Sequence, residues 1–320
     1  RLPRMATDLL DRRLLFVTGK GGVGKTTIAA ALGQLASARG LRTLLCEVDA
    51  KGNLAGAFET GPTTFAEREI QPGLWAMLPD SDGSVWEYLR LDLRVPVLSR
   101  IGPLARTFDF VANAAPGVKE ILIVGKLCHE VRERHYDIVV VDAPASGHIV
   151  GQLAAPQAIQ DLVQVGTVRD QTGWMIDILS DPAQTGAVIV ATPEEMPVND
   201  TLELSGRLHA ETKVDLAAVV VNRVLPELFG RGEEKVFRAV RDEAASAALA
   251  AAVDGPVAPL LDGAELAVKM RRTRAEHLGE LRAGLPKGVE LLYVPELFQR
   301  THGVRATRQI ADALSAELGY

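Results

Sequence analysis

The stretch Thr18-Gly-Lys-Gly-Gly-Val-Gly-Lys-Thr-Thr27 follows the apolar run Leu14-Leu15-Phe16-Val17 and precedes the helical pattern Ile28-Ala-Ala-Ala-Leu32. A glycine-rich turn between a buried strand and a helix is a phosphate cradle. Gly19, Gly21, Gly22 and Gly24 let the backbone wrap an anion with its N–H groups turned inward, and Val23 and Thr27 belong to the same turn. A helix starting near Lys25 adds the positive end of its dipole. The spacing Gly-x4-Gly-Lys-Thr assigns Lys25 to the β- and γ-phosphates and the Thr26 hydroxyl to Mg2+. Lys20 is a further cation that an ordinary loop of this kind does not need. It fits either a lysine that crosses a dimer to a neighbour's phosphates or a solvated loop lysine.

Outward from the loop, apolar β-branched runs alternate with helical patterns. Leu14–Thr18, Arg42–Val48, Tyr136–Val141, Ala187–Ala191, Leu216–Val221 and Glu290–Val294 read as strands. They lack an in/out alternation, which suits strands buried on both faces of a parallel sheet. Thr26–Arg39, Val198–Ala210, Glu233–Ala252 and Arg305–Leu318 read as helices between them. The expected fold is α/β, a doubly wound and mostly parallel sheet, with residues 1–320 as a single domain of the phosphate-loop NTPase kind. Some 80 residues separate the second strand from the Tyr136 strand, too many for one crossover. Residues from about 59 to 135 are therefore expected to form an inserted helical subdomain. Val85–Val111 carries apolar residues on more than one face, and core packing or a greasy binding surface both explain it. Pro116 is placed to start a further helix.

The composition is that of a globular chain, with 47% hydrophobic and 24% charged residues. A net charge of -6 disfavours sequence-independent nucleic-acid binding, which needs Lys and Arg to neutralise phosphates. The basic run Lys269-Met-Arg-Arg-Thr-Arg274 reads equally well as a solvated helix face. Two cysteines, Cys46 and Cys128, imply no disulfide framework. Cys46 lies in a strand-like run and is expected to be a buried thiol. With no secretory leader expected and no apolar run near the roughly 20 residues of a membrane helix, a soluble cytoplasmic protein is expected.

The ends of the strands carry the remaining candidates. Asp49 follows the second strand, where a carboxylate either orients an attacking water in line with the γ-phosphate or caps the next helix. Asp142 ends the Tyr136 strand as a direct or water-mediated Mg2+ carboxylate. Gly147 allows backbone approach to the γ-phosphate, and His148 is either part of that sensor or a residue that satisfies a turn. Asn222 and Arg223 end one strand, and Asn222 can pair with adenine; Pro295, Glu296 and Leu297 end another and can wall the purine.

Taken together, Gly19–Thr27, Asp49-x-x-x-Asn53-Leu54-x-x-Ala57-Phe58 and Asp142–His148 resemble the arsenical-pump and tail-anchored-protein targeting ATPase family, within the wider MinD- and ParA-like dimeric ATPases. The match runs in order from residue 14 to about 300. The resemblance implies ATP near a dimer interface, Lys20 acting across it, Asp49 serving hydrolysis, and adenine contacts at Asn222 and Pro295–Leu297. The implied cofactors are ATP and Mg2+. The implied partners are a second copy or a related ATPase chain, and a membrane-protein client or membrane partner. A nucleotide-dependent regulatory subunit with little turnover of its own is the alternative. Cys46 and Cys128 supply neither the zinc-holding Cys-x-x-Cys pair of the eukaryotic targeting factors nor the three-cysteine arsenite site of the pump ATPase. One loop is present, where the pump ATPase has two fused halves.

Overall fold

The computed structural model of the chain describes residues 9–48, 53–79, 117–162, 167–230, 232–298 and 303–320. Among the described residues eight strands form one sheet in the order β3-β4-β2-β5-β1-β6-β7-β8. They are β1 (Leu14–Gly19), β2 (Thr43–Glu47), β3 (Arg68–Gln71), β4 (Leu74–Met77), β5 (Ile138–Asp142), β6 (Thr185–Ala191), β7 (Leu216–Val224) and β8 (Glu290–Pro295). Every neighbouring pair is parallel except β3 and β4. The glycine loop therefore leaves the interior of the sheet: β1 pairs with β5 on one side and β6 on the other.

The apolar runs become strands because both faces of the sheet are covered. Along β1, Leu14 and Phe16 enter one core with Leu44, Cys46, Val139 and Val141, while Leu15 and Val17 enter the other with Leu45, Val140 and Val188. The second face is covered by α1 (Lys25–Ala38), through Ile28 and Leu32, and by the last helix, α10 (Val304–Glu317), through Ile310 and Leu314. The first face is covered by α3 (Val118–Arg132), α4 (Ser146–Leu162), α5 (Thr167–Ser180) and α6 (Glu195–Glu211). Burial of each large apolar side chain contributes about 1.5–3 kcal/mol. The doubly wound α/β expectation holds.

Several boundaries differ from the sequence reading. Residues 68–77 fall in the stretch read as helical, yet they form a strand pair that extends the sheet beyond β2. Pro72 and Gly73 make the turn between them, and Gly73 has φ 76, the left-handed position such a turn requires. Glu233–Ala252 reads as one helix but forms two, α7 (Glu233–Val240) and α8 (Glu243–Val253). Asp242, at φ -60 and ψ 141, breaks the run and stands at the N-cap position of α8. The stretch Ala258–Gly284 forms a 27-residue helix, α9. Asn53–Phe58 forms α2, with Leu54 and Phe58 buried. The greasy stretch Val85–Val111, the helix start at Pro116 and the catalytic candidate Asp49 lie outside the described residues. Among the described residues no single helix is long and apolar enough to cross a membrane.

Candidate nucleotide site

The loop between β1 and α1 takes its shape from two glycines that no other residue fits. Gly19 has φ 144, and a Cβ there would stand 2.2 Å from the Val190 carbonyl oxygen of β6. Gly24 has φ 97, and a Cβ there would meet the Asn222 amide nitrogen at 2.4 Å. Helix α1 begins directly after Gly24, with Ile28 N donating to Gly24 O at 3.0 Å and no side chain capping its end. An uncapped helix N-terminus presents donors and positive dipole to an anion. Beside it opens a cavity of about 630 Å³, lined by Gly21, Gly22, Gly24, Lys25, Thr26 and Thr27 of the loop, by Gly56 and Ala57 of α2, by Ala145, and by Gly303, Ala306 and Thr307 at the start of α10. That volume lies in the range of small-molecule sites.

The two expected metal residues meet. The Thr26 hydroxyl donates to Asp142 Oδ2 at 2.6 Å. A carboxylate at the end of β5, registered beside Val17 of β1, faces a hydroxyl on the first turn of α1. This is the hard oxygen pair that Mg2+ prefers. Thr18 fastens the segment after Asp142, its hydroxyl donating to Pro144 O at 2.9 Å. Among the described residues no cluster of three or more His, Cys, Asp or Glu is arranged to hold a metal ion.

The two lysines have different surroundings. Lys25 Nζ donates to Lys20 O at 3.0 Å and so spans the loop. Lys20 Nζ lies 2.6 Å from Asp200 Oδ2 on α6, with both side chains about one-third exposed. A pair that open to solvent is worth at most about 1 kcal/mol, so it yields readily to a stronger anion. Asp200, with Ser146, Gly147, Glu203, Leu204 and Arg207, lines a pocket of about 140 Å³. Gly147 and His148 are exposed in the first turn of α4.

The expected base residues lie near one another at the ends of β7 and β8, and none of them lines the cavity beside α1. Asn222 is buried at the end of β7, and its Nδ2 donates to Val23 O at 2.9 Å, so its side chain holds the phosphate loop itself. Its Oδ1 accepts from Arg223 N at 3.0 Å. Glu296 N donates to Val224 O at 2.9 Å, which sets Pro295, Glu296 and Leu297 beside the turn at Asn222. Sequence reasoning missed Asp200 and the Gly303–Thr307 wall, and gave Thr18 no role beyond the start of the loop. The only local signal for that wall was a glycine ahead of the last helical pattern.

A strand-loop-helix phosphate cradle facing a β5 carboxylate defines a phosphate-loop nucleotide-binding protein. Comparison narrows the class: the profile of the anion-transporting ATPase family matches residues 12–176 and 160–245, more than half of the chain, and the chain belongs to that family. This agrees with the resemblance read from the loop, the Asp49–Phe58 segment and the Asp142–His148 segment. Similar curated proteins are named as ATPases. ATPase BagA of Mycobacterium tuberculosis is 33% identical over 225 residues, covering 67% of this chain and 66% of the relative. The ATPase ASNA1 homolog of Entamoeba dispar is 26% identical over 257 residues, covering 66% of this chain and 76% of the relative. ATPase get3 of Schizosaccharomyces japonicus is 30% identical over 186 residues, covering 56% of each. The chain thus spans slightly less than two thirds of the mycobacterial relative's length.

Proposed function

We propose that the chain binds ATP with Mg2+ at the Gly19–Thr27 loop, hydrolyses the γ-phosphate bond, and couples that cycle to a client or membrane partner. The reading rests above all on the 2.6 Å contact between Thr26 Oγ1 and Asp142 Oδ2 beside an uncapped helix N-terminus. Gly21, Gly22 and Gly24 offer backbone N–H groups to the phosphates, and Lys25 exchanges its bond to Lys20 O for phosphate oxygens. When bound, Mg2+ neutralises charge building on the phosphate oxygens, and Thr26 and Asp142 are the residues that would hold it. Asp49 orients the attacking water. Asn222, Arg223 and Pro295–Leu297 receive the adenine, since the turn that carries Asn222 is bonded to Glu296.

The oligomer belongs to the same proposal. Lys20 leaves Asp200 and contributes its charge to the phosphates of a second copy or of a related ATPase chain. Strands β3 and β4 and helix α3 belong to the sheet and its core rather than to a separate insert, and the stretch between β4 and α3 is the part of the chain that meets a membrane-protein client or membrane partner. Titration calorimetry of the purified chain with Mg-ATP tests the nucleotide reading, and the absence of binding would sink it. Nucleotide-dependent crosslinking to a transmembrane peptide tests the client, and no crosslink in any nucleotide state would remove it.

A further inference from the structure

Three consecutive backbone carbonyls follow Asn222, and each is held from outside β7. Arg274 Nη1 donates to Arg223 O at 3.3 Å, Glu296 N to Val224 O at 2.9 Å, and Arg271 Nε to Leu225 O at 3.3 Å. Both arginines belong to α9, whose buried residues are only Leu261 and Leu281. Arg274 is itself mostly buried and lies 3.5 Å from Glu194 at the start of α6. At the same place the pairing of β7 with β8 slips register between Val221 and Val224, and Arg223 adopts φ 59. An L side chain holds that left-handed conformation only where its surroundings enforce it. A bulge of this kind re-aims the residues beside it, and the residue re-aimed here is Asn222, whose amide lies against the phosphate loop at Val23 O.

We propose that Arg274, seconded by Arg271, is a positioning residue of the nucleotide site. It clamps the left-handed turn at Arg223 and thereby keeps the Asn222 amide on the Val23 carbonyl in the middle of the loop. Without the clamp, Arg223 relaxes to an ordinary strand conformation and carries the Asn222 side chain off the loop. The bond that shapes the cradle is then lost, although Arg274 itself touches no nucleotide. This deepens the proposed function and rests on it.

The test is a mutant cycle read by titration calorimetry of the full chain with Mg-ATP. Arg274→Met is expected to weaken binding about tenfold, as loss of a charge-assisted hydrogen bond does. Arg274→Lys, which keeps a donor, is expected to lose less. In an Arg223→Gly background the same Arg274→Met change is expected to cost less than about twofold, because glycine holds φ 59 without a clamp. A role limited to anchoring α9 predicts equal losses in both backgrounds, and that result would overturn the proposal, as would unchanged affinity in Arg274→Met. Should Arg274→Met not fold by circular dichroism, Arg274→Lys carries the same comparison. A wild-type chain that takes up no nucleotide is a separate outcome, which removes the proposed function and this inference with it.

Discussion

Alanine at three loop glycines gives three different stability losses, and their order follows from what each Cβ would touch. At Gly21 nothing lies within 4 Å of the added atom, and Gly21→Ala is expected to stay within about 0.5 kcal/mol of wild type. At Gly24 the left-handed backbone costs about 1–2 kcal/mol. The Cβ would also stand 2.4 Å from Asn222 Nδ2, a side-chain atom that can swing away but loses its bond to Val23 O. That bond contributes about 1 kcal/mol, so Gly24→Ala is expected to cost about 2–3 kcal/mol. At Gly19 the obstacle is the Val190 carbonyl at 2.2 Å, backbone of the strand that pairs with β1, and it has no rotamer to retreat into. Gly19→Ala must therefore part β1 from β6 and is expected to cost more than about 3 kcal/mol. Urea unfolding followed by circular dichroism, without nucleotide, measures all three. Gly21→Ala as damaging as Gly19→Ala, or Gly24→Ala indistinguishable from wild type, would refute the loop geometry.

Thr26→Val and Asp142→Asn remove opposite ends of one 2.6 Å contact and are each expected to raise the Mg2+ concentration needed for half-maximal ATPase rate by tenfold or more, with ATP binding in EDTA much less affected; unchanged Mg2+ dependence would separate the pair from the metal. Lys20→Ala is expected to cut turnover while leaving ATP affinity within about threefold, since its partner within the chain is the partly exposed Asp200; equal loss of binding would place Lys20 on the phosphates of its own chain. Burial pushes the Cys46 and Cys128 thiols up from their ordinary range, and the Glu130 charge adds to this at Cys46. Neither thiol is expected to react with a chromogenic disulfide reagent at pH 8 until denaturant is added; stoichiometric labelling of native protein would contradict their burial.

Much of this was legible in the sequence because its signals are local. An apolar run followed by a Gly-x4-Gly-Lys-Thr loop states both a strand and a phosphate cradle, and β1, β2, β5, β6, β7 and β8 appear where the apolar runs lie. What escaped depends on partners distant in sequence. Strands β3 and β4 are four residues each, too short for a period, and take their place from the pairing of β4 with β2 and of β3 with β4. Helix α4 hides behind Gly147, Gly151 and an internal Pro156, which read as breakers although packing on the core keeps the helix intact. The split between α7 and α8 rests on one backbone angle pair at Asp242 that apolar spacing does not record. The Asp200 partner of Lys20 is 180 residues away in the chain, and the hold of Asn222 on Val23 spans 199, so neither carries a motif.

Phosphate release by the purified chain at saturating Mg-ATP, compared with Lys25→Ala and Asp49→Asn prepared alongside, tests the central claim most directly. Sustained turnover in the wild type, none in Lys25→Ala, and retained ATP binding with little turnover in Asp49→Asn is the result predicted. Phosphate release that survives Lys25→Ala undiminished would contradict the assignment of the chemistry to this loop.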